Sequence, residues 1–381
     1  FRESYDVTKE GLYRYICRGI YRGYISDIDL YNIDNCRVKW LELSNEATRQ
    51  LQRKMYFKHE IHYRIYRDWK DMEEYHIQAI ENLKDTQNRC RPYNKMEFTE
   101  NKVIKTGLTE EGKKLIDREI VWYKKMVEYG FTSIPKIYSY EPLTMEKIDG
   151  TNIFQADLTD EQKAKITDNL INSVNKMHEF ETKPADKEDL IKEYYTKTID
   201  RLNSIKSAIP FADSEYITIN GKTCKNPIVF QKQFKDAVEE KLLDTVFCPI
   251  HGDCTLTNTM VDKSNNIYFI DARGYFGKQV VLGDIRYDWA KLYYSMCGNF
   301  DRFNVKDFRL KISDNDVLFE IKSNGWEDLT EKVSNMKNCK VRDIQFIHAI
   351  IWLSLASHCW EDYDSMCLAF YNGMYLVSDF I

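Results

Sequence analysis

Glycine and proline are scarce, at 15 and 7 of 381 residues, together about half their usual share. Turns and flexible linkers are therefore few, and helix is expected to outweigh strand. No apolar run approaches the roughly 18 residues that would span a bilayer. The longest, Phe346 to Ala356, is interrupted by His348, so no membrane insertion is expected. The ten cysteines stand singly, with no C-x-x-C and no second cysteine at zinc-ligand spacing. Free thiols in a reducing, cytoplasmic setting are the expectation. Neither sign of charge dominates: 55 Lys and Arg face 60 Asp and Glu, a net charge of −5 with both signs interspersed. That excludes a broad nucleic-acid surface or anionic-membrane surface. A G-x-x-x-x-G-K-[ST] loop occurs nowhere, which excludes a P-loop fold. The chain opens Phe-Arg-Glu, with no Met and no basic-then-apolar leader. It is expected to be a piece of something longer.

What is present suits a folded protein. Apolar residues make up 43% and charged residues 30%, a globular balance with length for two or three domains or one large two-lobed unit. Three regions are expected. Residues 1–87 hold a strand pair around Asp34-Asn35 and, from the N-cap candidate Ser44, a long helix with an apolar stripe from Leu51 to Leu83. Residues 88–150 read as strand, strand, helix, strand, strand: a hairpin from Lys95 to Gly107, a helix from Leu115 to Glu128, then Pro135–Tyr140 and Leu143–Ile148. From 151 to 381 helices dominate, at 162–181, 188–206, 227–245 and 284–297 and in a closing pair from Val341 to Phe380. Short strands are expected between Val246 and Asp271, and a hairpin at Phe308–Ile312 and Val317–Ile321.

The chemistry concentrates in Pro249-Ile-His251-Gly-Asp253-Cys-Thr-Leu-Thr-Asn258, followed by a turn at Asn265-Asn266 and an apolar strand ending at Asp271. A loop thus carries a carboxylate and, five residues on, an amide; a second carboxylate closes the facing strand. One amide and one carboxylate suffice for Mg²⁺, which keeps its other positions for water and phosphate oxygens. The remaining carboxylate is then free for acid/base work.

This spacing matches the protein-kinase pattern H-R-D-x-x-x-x-N with a later metal-binding Asp. Its His-Gly-Asp form resembles the aminoglycoside phosphotransferase and choline kinase superfamily of small-molecule kinases. Gly283-Asp284-Ile-Arg-Tyr287-Asp288-Trp-Ala290-Lys-Leu292 resembles that family's G-D-x-x-Y-D-x-A segment, whose carboxylates brace the catalytic loop. The segments Asn175–Glu179, Tyr194–Leu202 and Ser357-His358 look like the branch found in capsule and lipopolysaccharide gene clusters, sometimes fused to a sugar nucleotidyltransferase. Residues 1–87 are then a candidate for the end of a fused upstream domain.

The resemblance implies an α+β, two-lobed protein-kinase-like fold: a small antiparallel-sheet lobe, a hinge near Asp149-Gly150 and a larger, mainly helical lobe. It implies transfer of the ATP γ-phosphoryl to a hydroxyl of a small molecule, a sugar or amino alcohol of a cell-surface polysaccharide pathway. Asp253 would be the catalytic base, His251 would orient its loop, and Asn258 and Asp271 would hold Mg²⁺. Lys105 and Glu119 would clamp the α- and β-phosphates, while backbone groups from Glu146 to Ile148 would bind the adenine. No Gly-rich loop precedes Lys105, so phosphate cover is expected from the loop between the two hairpin strands.

Two rivals remain. One is a pseudokinase or nucleotide-binding module, motivated by the missing glycine loop. The other is a protein kinase, which should carry A-P-E and D-F-G and does not. Elsewhere, His59 and His62 stand one turn apart without the spacing or third ligand of a zinc site. Cys254, beside a carboxylate that would raise its pKa, reads as a packing residue. Trp360-Glu-Asp362-Tyr363-Asp364 could bind a cationic substrate, but a solvated acidic helix face is the reading taken.

Overall fold

The computed structural model describes residues 94–381, apart from 314–315, 330–331, 333–338 and 360–361. The strand pair, long helix and His59/His62 pair expected in residues 1–87 lie outside the described residues, as do Trp360 and Glu361.

The first elements are β1 (Asn94–Phe98), β2 (Lys102–Gly107), α1 (Glu110–Tyr129), β3 (Ile137–Tyr140) and β4 (Leu143–Glu146). The strands form one antiparallel sheet in the order β1-β2-β4-β3. Thr109 starts α1 because its side chain accepts the Gly112 N–H at 3.1 Å; Gly130, at φ 73°, ends it. The inner face of α1 presents Ile116, Glu119, Trp122, Tyr123 and Met126, all buried. Burying side chains such as Ile116 and Met126 contributes about 1.5–3 kcal/mol each.

The second lobe begins at β5 (Gly150–Asn152), which pairs with β10 (Thr259–Asp262), itself paired with β11 (Ile267–Phe269). Gly150 is required at that junction, because a Cβ there would lie 2.2 Å from the Val261 carbonyl oxygen. Against this three-stranded sheet packs α2 (Asp160–His178); α3 (Lys187–Ile191), α4 (Lys197–Ile205) and α5 (Gln231–Leu242) follow, α3 and α5 packing on the backbone turn between α3 and α4 and α4 on the C-terminal helices. The backbone between α3 and α4, Lys192–Thr196, winds as a single π-type turn, a local widening that recurs at functional positions. A second small sheet joins β14 (Leu282–Asp284), β9 (Val246–Pro249) and β6 (Lys183–Pro184), and β12 (Tyr275–Phe276) pairs with β13 (Gln279–Val280). Helices α6 (Ile285–Met296), α7 (Phe300–Asn304), α8 (Val341–Leu355) and α9 (Tyr363–Val377) complete the core. The result is an α+β, two-lobed kinase-like fold.

The hairpin β15 (Phe308–Ile312) and β16 (Val317–Ile321) has the expected bounds. It does not stand alone: β16 pairs in parallel with β7 (Tyr216–Ile219), which forms a hairpin with β8 (Lys222–Lys225). That second hairpin is absent from the sequence reading. Its turn, Asn220-Gly221, has φ of 49° and 77°, the pair of positive angles that an Asn-Gly two-residue turn supplies.

One further expectation is corrected. Asp362 and Asp364 are buried rather than on a solvated acidic face, and Asp362 pairs with Lys306 at 2.9 Å and accepts the Ser365 hydroxyl at 2.9 Å. The turn between β1 and β2 lies beside the end of β4, Lys102 pairing with Glu146. The Asn101 carbonyl accepts the Lys147 N–H at 3.1 Å, which fixes this turn against the strand leading to the hinge. No helix among the described residues is long and apolar enough to cross a membrane.

Candidate active site

The loop after β9 is held from both sides. Asp288, buried on the first turn of α6, accepts the His251 N–H at 2.9 Å with Oδ2 and the Gly252 N–H at 2.8 Å with Oδ1. His178, at the end of α2, lies 3.1 Å from the same Oδ2. Burial works against the Asp288 carboxylate, but these hydrogen bonds and the nearby imidazoles hold its pKa below the usual value. On the other side, buried Asp301 accepts the Thr257 hydroxyl at 2.7 Å and the Thr257 N–H at 3.2 Å, and also binds Ser295. Gly252 is at φ 77°, where an L side chain is strained; a Cβ there would also press to 3.0 Å on Arg273 Cβ.

The expected brace is thus Asp288 alone. Asp284 turns away from the loop, caps α6 through the Arg286 N–H at 3.0 Å, pairs with the Arg286 guanidinium at 2.7 Å and accepts the Tyr194 hydroxyl at 2.7 Å.

His251 is buried and its imidazole is neutral, because burial pushes its pKa down. The bonding pattern sets the tautomer: Nε2–H donates to the Ile270 carbonyl at 2.9 Å, and Nδ1 accepts the Asp253 N–H at 3.2 Å. Its ring lies edge-on to Trp122, whose Nε1–H donates to the Ile250 carbonyl at 2.8 Å across the two lobes. His251 therefore couples the loop to the segment after β11 that carries Asp271.

Asp253 is partly exposed. Its Oδ2 accepts Asn258 Nδ2–H at 2.9 Å, and its Oδ1 meets Lys291 Nζ at 2.8 Å. Asn258 and Ile270 face each other across the hairpin, since the Ile270 N–H donates to the Asn258 carbonyl at 3.0 Å. Asp271 follows directly, half exposed, in the left-handed region at φ 58°. Asp tolerates that region better than most residues, and such strain clusters at functional sites.

Lys105, on β2, joins the two lobes. Its ammonium lies 2.6 Å from Glu119 Oε2 on α1 and 2.5 Å from Asp271 Oδ1. Burial works to lower the Lys105 pKa, but the two carboxylates outweigh it and hold the ammonium charged. Burial pushes the Glu119 carboxyl up to about 7, against the attraction of Lys105. The three groups form one ionic knot between the lobes, buried at Lys105 and Glu119 and open to solvent at Asp271. In the strand leading to the hinge, the Glu146 N–H donates to the Lys136 carbonyl at 2.8 Å and the Lys147 N–H is committed to Asn101. The Ile148 N–H has no hydrogen-bond partner among the described residues. Ile148 is thus better placed than Glu146 to offer a backbone donor.

Cys254 is fully buried, its thiol donating to the Asp288 carbonyl at 3.3 Å, and burial raises its pKa well above the usual thiol value. It packs. No cluster of three or more His, Cys, Asp or Glu able to hold a metal occurs among the described residues. The second carboxylate oxygen of Asp271 and the amide oxygen of Asn258 are donors of the kind that could hold a hard cation such as Mg²⁺.

The sequence reading missed three residues. Lys291 follows Asp288 by three positions on α6, and that helical spacing already put both on one face. Arg273 lies two residues beyond Asp271, with its stem along Gly252. Glu193, buried on the π-type turn, binds Arg273 Nη2 at 2.8 Å, the Gly277 N–H at 3.1 Å, and Lys197; no local sequence signal marks it.

No family model matches the chain, and no curated protein matches it. Among solved structures, it is similar to the gentamicin–APH(2″)-IIa complex at 13% identity and a TM-score of 0.46, over 77% of this chain and 94% of that one. It is similar to the GDP complex of aminoglycoside 2′-phosphotransferase-IIIa at 11% identity and a TM-score of 0.49, over 80% and 98%. It is also similar to choline kinase LicA from Streptococcus pneumoniae at 13% identity and a TM-score of 0.44, over 80% and 99%.

Proposed function

We propose that this chain is a small-molecule kinase that transfers the γ-phosphoryl group of ATP to a hydroxyl. The observation that carries the reading is the convergence, between the lobes, of Asp253, Asn258, Asp271, Lys105 and Glu119, each tied to the next by a bond of 3.0 Å or less or by the β10–β11 hairpin. In the reaction, the acceptor hydroxyl oxygen bonds to the γ-phosphorus as the bond from that phosphorus to the β-phosphate oxygen breaks. Asp253 takes the hydroxyl proton, ADP departs, and the proton passes to solvent. Lys105, fixed by Glu119, offsets charge on the α- and β-phosphates. Asn258 and Asp271 would hold Mg²⁺, which, when bound, neutralises charge on the phosphate oxygens. The Ile148 N–H would hydrogen-bond the adenine. His251 holds the Asp253 backbone in place and moves no proton.

The presence together of Asp253, Asn258, Asp271, Lys105 and Glu119 favours this reading over a pseudokinase. The proposal takes the acceptor to be a small hydroxyl compound, for which the sequence resemblance suggests a sugar or an amino alcohol, and includes a role in cell-surface polysaccharide synthesis in the cytoplasm. Incubation of the full chain with Mg²⁺ and γ-labelled ATP or GTP, with a panel of hydroxyl acceptors, tests the reading. Transfer that is lost in Asp253→Asn supports it; equal transfer by the variant contradicts it.

A further inference from the structure

The cations around Asp253 point to the charge of the acceptor. Asp253 presents Oδ2 to Asn258 on the proposed metal side and Oδ1 to Lys291 on the other. Beyond Lys291 lie Arg273, Lys197 and Arg201, the last two one turn apart on α4. Glu193 neutralises part of this group through Arg273 at 2.8 Å and through Lys197. Arg201 is half-buried; its carbonyl accepts the Ser204 hydroxyl at 2.7 Å, while its guanidinium makes no hydrogen bond or ion pair with the described residues. Burial and repulsion from Arg273 push its guanidinium below the ordinary value, and burial, Arg273 and Arg201 do the same to the Lys197 ammonium. Arg118 adds a further cation from α1. These five cations meet two carboxylates, Glu193 and Asp253.

Two aromatic rings lie in the same group, and an ammonium ligand would need their faces. They are already taken. Arg273 stands 4.2 Å from the centroid of Tyr275 and 5.5 Å from that of Tyr287, and Arg118 stands 4.5 Å from Tyr275. Arg273 Nη1 also donates to the Tyr287 hydroxyl at 3.0 Å. A choline-like or polyamine acceptor would meet guanidinium groups where it needs carboxylates and open rings.

We propose, resting on the kinase reading, that the hydroxyl acceptor is an anion whose phosphate or carboxylate group is bound by Arg201 and Arg273. A guanidinium matches either group with two parallel hydrogen bonds, and an anion there would supply the partner that Arg201 lacks. The hydroxyl to be phosphorylated then lies toward Asp253, with the charged end of the molecule toward α4.

The full chain tests this with Mg²⁺, γ-labelled ATP and matched acceptors: glycerol and glycerol 3-phosphate, glucose and glucose 1-phosphate, glucose and glucuronate, with choline, glucosamine and kanamycin alongside. The expected result is a kcat/KM at least tenfold higher for an anionic member than for its neutral partner, and none measurable for the cations. The phosphate esters and glucuronate separate the two anion classes. Arg201→Gln should raise KM for the preferred anion at least tenfold, with kcat within about threefold and Mg²⁺·ATP affinity, measured by calorimetry, unchanged; Arg201→Lys should recover part of the loss. Preference for a neutral or cationic acceptor, no transfer to any anion, or an Arg201→Gln variant with an unaltered KM would overturn the inference while the kinase reading stands. A chain that binds neither Mg²⁺·ATP nor Mg²⁺·GTP removes the kinase reading, and the acceptor inference falls with it.

Discussion

Lys291 Nζ lies 2.8 Å from Asp253 Oδ1, while Asn258 Nδ2 lies 2.9 Å from Oδ2, so the carboxylate is gripped from two sides. Burial works against the Lys291 ammonium, but Asp253 outweighs it and raises its pKa. A side chain held in this way cannot rotate away from an incoming hydroxyl. Asp253→Asn is expected to lower kcat by about 10²–10⁴-fold, the usual contribution of a positioned base, with Mg²⁺·ATP affinity within a few-fold of wild type. Lys291→Met is expected to lower kcat by about tenfold through misplacement of Asp253, with Lys291→Arg restoring most of it. Steady-state kinetics on the three variants checks both.

The knot of Lys105, Glu119 and Asp271 predicts a non-additive response. Lys105→Met leaves Glu119 buried without its cation and is expected to cost about 3–5 kcal/mol of stability. Adding Glu119→Gln removes the stranded charge and is expected to recover a large part of that loss. Urea unfolding of the single and double variants measures it. ATP affinity should stay impaired in both, because stability is regained and the phosphate clamp is not.

Asp288 supports the loop through two backbone N–H groups and His178. Asp288→Asn keeps one acceptor oxygen and introduces a donor in place of the other, leaving a buried N–H of the loop poorly paired. The expected loss is about 1–3 kcal/mol, accompanied by a fall in kcat, and parallel unfolding and activity measurements would show both.

Two buried imidazoles set an acid limit on stability. Burial pushes His348, which accepts the Trp352 indole N–H at 2.8 Å, down to about 3, and lowers His251 as well. Both folded pKa values lie below the unfolded value of 6.5. As pH falls below that value the unfolded chain takes up protons that the folded chain refuses, so stability falls. From pH 7 to pH 5, His348 alone is expected to cost about 2 kcal/mol. Urea midpoints at the two pH values should therefore separate more in the wild type than in His348→Gln.

Much of the candidate site was legible because the residues proposed for it stand at short spacings. His251, Asp253 and Asn258 fall within eight residues, and Asp271 follows the next strand, which ends at Phe269 rather than on the carboxylate as the sequence suggests. Lys105 and Glu119 were readable from the strand-then-helix order, and the structure brings them to 2.6 Å. Arg201, Arg273 and Glu193 were not readable as a group, because their proximity depends on packing α4 against the loop after β11. The β7–β8 hairpin had a local signal, Asn220-Gly221, that was overlooked between longer helical patterns. Asp362 and Asp364 misled for the opposite reason: their composition reads as surface, and only the tertiary fold supplies the Lys306 that lets Asp362 be buried.

Calorimetric titration of ATP, with and without Mg²⁺, into the full chain and into Asp271→Ala tests the central claim most directly. The predicted result is binding that depends on Mg²⁺ in the wild type and is lost or strongly weakened in the variant. Binding indifferent to both Mg²⁺ and Asp271, or no binding of the nucleotide by the wild type, would contradict the account.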